Sequence, residues 1–266
     1  MIKVYLDGDS FILENKEFLD LNKYMSSLIY LDANAMNETN KTNYIIKSEI
    51  NNKKLIGIKL EPFNLLLYGD RECLDELLKF INENEYELKG VMCPTILGDS
   101  LIPISKDILN KEYTLVIGMD FMEANEYTME SSSLVSSASL NDLDEIYNMT
   151  LRFIKDCGLN DVPNKDKMAL NIKNYRIIKI NDEIRAMAAY SKDTDSSYRI
   201  THVYTKDEYR GNGYAKLIVN NLKNEILSLG KIATLNVDQK NPISNHIYKS
   251  IGFKRVFSQG IYELKN

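Results

Sequence analysis

Residues 203–215 constrain this chain most. They read Val-Tyr-Thr-Lys-Asp-Glu-Tyr-Arg-Gly-Asn-Gly-Tyr-Ala, an extended segment that enters a glycine-bearing turn and then a long amphipathic helix. A helix that starts this way leaves backbone N–H groups unpaired at the positive end of its dipole, where a phosphate group is favoured. Gly211 and Gly213 allow positive φ and close approach of a ligand to the backbone, and Arg210 adds a fixed positive charge. The spacing rules out two phosphate motifs. It is not Gly-x-x-x-x-Gly-Lys-Ser/Thr, and it is not Gly-x-Gly-x-x-Gly with an acid downstream. What stands is Arg210-x-x-Gly213-x-Ala215.

The residues that follow keep a regular plan. Ala215, Ile218, Val219, Leu222, Ile226 and Leu229 hold helical spacing, and Gly230 sits where a left-handed cap ends a helix. Residues 231–237 read as a buried strand, and Asn241-Pro242 as a helix start. Ile243, Ile247 and Ile251 form an apolar stripe on that helix, Gly252 ends it, and 253–264 gives a last strand or hairpin. Asn241, Asn245 and Tyr248 share another face of the same helix.

The two segments in this order, Val-Tyr-Thr-x-x-x-Tyr-Arg-Gly-x-Gly-Tyr-Ala and then Asn-Pro-x-Ser-Asn-x-x-Tyr, resemble the GNAT superfamily of N-acetyltransferases. Within it the branch resembles glycine N-acyltransferase-like members. The resemblance implies an α/β fold, a mixed central sheet flanked by helices and split open beside the cofactor.

Upstream, the pattern supports that layout. It predicts helices from Asn141 and over 166–171, strands over 175–180 and 184–190, a polar loop over 192–197, and the strand 198–205 that delivers the turn. The first half reads as a helix over 17–31, strands over 44–50, 54–60 and 64–68, and a helix capped by Asp70. It repeats the plan without the motif, since Tyr68-Gly69-Asp70-Arg71-Glu72-Cys73 has two acids and one glycine at the corresponding turn. This half is expected to be a second, degenerate GNAT-like α+β domain over 1–124, with the catalytic domain over 125–266. Residues 113–119 are expected to cross between halves. The serine-rich stretch at 131–137 reads as a flexible linker or as an edge strand.

Composition narrows the function. With 266 residues the chain suits two domains, and 44% hydrophobic residues suffice for their cores. Net charge is −5 with no basic tract, which disfavours nucleic acid and anionic membrane as partners. No apolar run approaches the roughly 18–20 residues of a membrane span, and the acids near the N-terminus do not suit a secretory signal. Cys73, Cys93 and Cys157 are scattered, as expected of reduced thiols in a cytoplasmic protein. Neither His202 nor His246 has a partner at metal-ligand spacing, so no metal is expected.

The resemblance implies acetyl-CoA, or a related acyl-CoA, as donor and a primary amine of a small molecule, amino acid or peptide as acceptor. The backbone of Val203, Tyr204 and Thr205 is expected to pair with the pantetheine arm. Arg210, Gly211, Asn212, Gly213, Tyr214 and Ala215 are expected to hold the diphosphate. Asn241 and Asn245 complete the cofactor side, and Tyr248 is expected to protonate the departing thiolate. The base is open. Arg199 stands where histone-type members carry a glutamate, and an arginine cannot accept a proton. His202, Glu208 and a water chain are the alternatives. A non-catalytic acyl-CoA-binding module is the rival reading. An exposed edge strand could pair with a second copy, giving a homodimer, or be covered by the first half.

Overall fold

A computed structural model of the chain describes residues 1–158 and 162–265. The first half runs β1 (Ile2–Tyr5), α1 (Gly8–Asp20), α2 (Lys23–Ala35), β2 (Tyr44–Ile50), β3 (Lys53–Lys59), β4 (Leu65–Gly69), α3 (Leu74–Glu83), β5 (Gly90–Pro94), α4 (Thr95–Leu109) and β6 (Tyr113–Ala124). The second runs β7 (Val135–Ser137), α5 (Leu143–Asp156), α6 (Lys165–Leu170), β8 (Tyr175–Ile180), β9 (Glu183–Thr194), β10 (Ser197–Thr205), α7 (Tyr214–Ser228), β11 (Ile232–Asp238), α8 (Pro242–Ser250) and β12 (Lys254–Leu264). The two successions are the same: strand, two helices, three strands, helix, strand, helix, strand. The chain folds into two compact units, Met1–Asp120 with the chain from Phe257 onward, and Phe121–Val256. A single cut near residue 125 therefore does not describe the units, because the final strand returns to the first of them.

In the first unit β1 to β4 form an antiparallel meander, β4 pairs in parallel with β5, and β12 lies antiparallel to β5. Alternation along β2 sends Tyr44 and Ile46 to one face and Ile45 to the other. The first face is covered by Leu74, Leu77, Leu78 and Ile81 of α3, and the second by Phe11 and Leu19 of α1 with Ile29 and Ala33 of α2. The sequence pattern predicts one helix over 17–31, and the structure has two. Asn22 interrupts the run and caps α2, its side chain accepting from the Met25 N–H at 3.1 Å. Asp70 does not cap the following helix. Its carboxylate accepts from the Lys54 N–H at 2.9 Å instead.

In the second unit β7, β8, β9 and β10 are antiparallel neighbours and β10 runs parallel to β11. Ile218, Val219, Leu222 and Ile226 of α7 pack on Ile178, Ala186, Ala188 and Ile200. Ile146 and Met149 of α5 pack on Ile177, Ile184, Met187 and Tyr204 of the opposite face. The expected loop over 192–197 is mostly strand, with β9 running to Thr194 and β10 beginning at Ser197. The serine-rich stretch holds the edge strand β7 and is pinned rather than flexible. Asn220 and Asn224 donate to the Met129 carbonyl, and Asn221 exchanges two hydrogen bonds with the Ser132 backbone. The isoleucine stripe of α8 holds only in part. Ile251 is buried, whereas Ile243 in the first turn is exposed. Among the described residues no helix is long and apolar enough to cross a membrane.

Candidate active site

The sheet of the second unit opens where the glycine turn begins. Strands β10 and β11 are registered at Ser197 with Ile232, Tyr198 with Ala233 and Arg199 with Thr234. Past Arg199 the ladder stops, although β10 runs on to Thr205 and β11 to Asp238. On its other side β10 has a bulge. Thr201 faces Ala189 and Tyr204 faces Met187, so that His202 and Val203 share the space of one partner. His202 carries the bulge with φ of +52°, a left-handed conformation uncommon for a residue with a side chain. Its ring stacks on Tyr175 and meets Phe153 edge-on, and its Nδ1 lies 3.3 Å from the Tyr175 hydroxyl.

The turn itself is open. Gly211 and Gly213 have φ of +82° and +77°, and a Cβ built on either meets nothing within 4 Å. Gly213 is the N-cap of α7, with no side chain capping the helix, so the N–H groups of its first turn face outward. Asn212 turns its amide back on the Tyr209 carbonyl at 3.0 Å. Arg210 is already engaged, with Nη2 2.9 Å from Asp156 and 2.7 Å from Asp207. Near it Arg185 of β9 lies with its guanidinium 4.5 Å from the centre of the Tyr209 ring and Nη1 3.4 Å from the Tyr214 hydroxyl.

On the far side of the gap, α8 starts with Asn241 accepting from the Ser244 N–H at 3.0 Å. Asn245 donates to the Asp238 and Asn241 carbonyls, both at 2.9 Å, and so fixes the junction of β11 with α8. Tyr248 is 7% exposed, and its ring packs against Phe253. Burial pushes its hydroxyl up to about 12, with Ser244 pulling the other way. Cys157, after the end of α5, raises it a little further. The Cys157 thiol is itself pushed up by burial and by the charges of Asp156 and Asp238. The end of α5 reaches the turn side of the gap, where Asp156 holds Arg210. Sequence periodicity gives no hint of this contact, because it joins residues more than fifty positions apart.

Among the other residues singled out, Thr205 accepts from Arg210 Nε through its carbonyl at 3.2 Å, and Tyr204 is buried in the α5-side core. Tyr214 and Ala215 open α7. Glu208 is exposed in the turn. Arg199 is tied to the buried Asp193 and lies over the Phe121 ring. No group of three or more His, Cys, Asp or Glu that could hold a metal occurs among the described residues.

The first unit has a similar parting without the seat. Strands β4 and β5 are registered only at Leu65 with Val91 and Leu66 with Met92. The space nearby is a remnant of about 20 Å³ between Met25, Leu28, Ile29, Met92 and Phe257. At the corresponding turn a Cβ on Gly69 would stand 2.1 Å from the Lys54 carbonyl oxygen, so the backbone there is covered.

The second unit is thus a mixed sheet parted beside an uncapped, glycine-led helix. The FR47-like protein family matches residues 180–260, the span from β8 to β12. An acetyltransferase of the GNAT family from Colwellia psychrerythraea aligns over 100% of both chains with a TM-score of 0.64 at 12% identity. A GCN5-related N-acetyltransferase from Sphaerobacter thermophilus aligns over 99% of this chain and 95% of its own with a TM-score of 0.63 at 10% identity. A tandem GNAT protein from the clavulanic acid biosynthesis pathway covers 84% of this chain and 82% of its own, with a TM-score of 0.51 at 7% identity. Comparison with curated proteins gives no match. The fold is that of the GNAT acetyltransferases, among them a tandem GNAT protein.

Proposed function

We propose that this protein transfers the acetyl group of acetyl-CoA, or of a related acyl-CoA, to a primary amine of a small molecule, amino acid or peptide. The observation that carries the reading is the coincidence of three features in the second unit. The β10–β11 ladder stops at Arg199, the bulge at His202 and Val203 lies just beyond, and the open glycine turn follows.

In this reading the N–H groups from Gly211 to Ala215 hold the diphosphate. The pantetheine arm lies along Val203 to Thr205 as an added strand. The amine nitrogen attacks the thioester carbonyl carbon directly. The Val203 N–H, released from the ladder by the bulge, stabilises the oxyanion. The C–S bond then breaks, and the thiolate takes the Tyr248 proton. Burial suits Tyr248 to this, because it keeps the phenol protonated until transfer. We assign the amine's proton to His202, an imidazole placed on the opened part of β10. Asn241 and Asn245 act by holding the α8 start in place.

The test is thiol release from acetyl-CoA with pooled primary amines. The reading expects amine-dependent release that disappears when the amines are left out. Binding of acetyl-CoA with no amine-dependent release from any pool would refute it and favour a binding module.

A further inference from the structure

The motif arginine is poorly placed to meet a diphosphate. Arg210 bridges Asp156 and Asp207 at 2.9 and 2.7 Å, so the cluster holds one guanidinium against two carboxylates. Such a cluster offers a bound anion no net attraction. Arg185, outside the motif, is arranged differently. It forms no ion pair among the described residues, and its Nε is buried without a hydrogen-bond partner. Its guanidinium is bracketed by the Tyr209 ring at 4.5 Å and the Tyr214 hydroxyl at 3.4 Å from Nη1, the residues that bound the glycine turn on either side. Glu183, the acid that feels its charge, is taken up by Lys206 Nζ at 3.0 Å and by the Tyr209 hydroxyl. The aromatic face holds the guanidinium in position without neutralising it.

We propose that Arg185 supplies the uncompensated positive charge at the diphosphate seat, and that Arg210 serves chiefly to tie the turn to the end of α5 through Asp156. The proposal rests on the functional reading above, since it presumes a CoA diphosphate on the turn. A charge-assisted contact of this kind supports at least about tenfold in affinity.

The experiment is calorimetric titration of CoA into the full-length wild type, R185Q, R185K and R210Q, with thermal unfolding of each. R185Q is expected to weaken CoA about tenfold or more and to flatten the salt dependence of binding. R185K is expected to retain most of the affinity, R210Q to lose less than R185Q, and R185Q to unfold at the wild-type temperature. CoA affinity of R185Q within twofold of wild type, or a loss in R185Q that tracks a lower unfolding temperature and is not rescued by R185K, overturns the assignment alone. Wild-type protein that takes up no CoA overturns the functional reading and this assignment with it.

Discussion

Tyr248→Phe separates chemistry from binding. The ring of Tyr248 is buried against Phe253, and the substitution keeps that packing while deleting only the hydroxyl. The structural loss is one interaction with Ser244, worth about 1 kcal/mol, so the variant stays folded. CoA affinity is expected to change less than twofold, because the seat on Gly211 to Ala215 lies on the other bank of the gap. Turnover is another matter. Loss of a positioned general acid costs about a hundredfold, or about 2.7 kcal/mol in the barrier to thiolate departure. The pH profile adds a second constraint. With the hydroxyl pushed up to about 12, Tyr248 stays protonated through pH 9 and contributes no alkaline loss of rate below that. The assays are thiol release under saturating donor and calorimetric CoA binding on the same preparations. A variant that binds CoA as wild type and turns over at the wild-type rate refutes the role. So does one that loses binding while the residual bound fraction reacts normally.

Further outcomes follow from the same geometry. Gly213→Val puts a branched side chain at φ of +77° and over the open seat. It should cost about 1–2 kcal/mol of stability by denaturant titration and abolish measurable CoA binding, and retained binding would contradict the role of the turn. Lys223 is fully buried on α7, with Nζ 2.7 Å from Thr128 Oγ1 and 2.8 Å from the Ile251 carbonyl, and burial depresses its pKa below the ordinary lysine value of 10.5. The unfolded chain then binds the extra proton, so wild type should gain stability relative to Lys223→Met as pH rises toward 10.5; a constant difference in denaturation midpoint would contradict this. In the first unit Lys3 and Lys47 hold Glu14 down to about 2 from 4.5, so its contribution is present above about pH 4.5 and lost as pH falls toward 2. Glu14→Gln should flatten that part of the acid-unfolding curve, and an unchanged curve would show the pairing to be inert.

Much of the second unit was legible because its signals are local. The glycine turn, the caps at Asn241 and Gly230 and the apolar spacing of α7 each involve residues a few positions apart, and the structure has β10, α7, β11 and α8 in that order. The first unit was legible as a strand meander with a helix to follow, but its helical start was misread. Leu21 and Asn22 break what looked like one amphipathic run, and only the capping role of Asn22 distinguishes a break from a polar face. The site was legible in its backbone and less so in its side chains. Nothing local marks His202 for positive φ, since the bulge is decided by how β9 and β10 register. The pairing of Arg210 with Asp156 and the place of Arg185 beside Tyr209 depend on contacts across the fold, which spacing along the chain does not encode. Asn245 illustrates the converse. Its motif position suggested a ligand contact, yet both hydrogen bonds from its amide serve the β11–α8 junction.

The central claim is that main-chain amides from Gly211 to Ala215 grip the diphosphate, and backbone amide NMR observes those groups directly. On addition of CoA the account predicts that the resonances of Gly211, Asn212, Gly213, Tyr214 and Ala215 move downfield together, as N–H groups do when they donate to an anion, while the Gly69 resonance stays fixed. Saturating CoA that leaves these five resonances in place would contradict the account at its root.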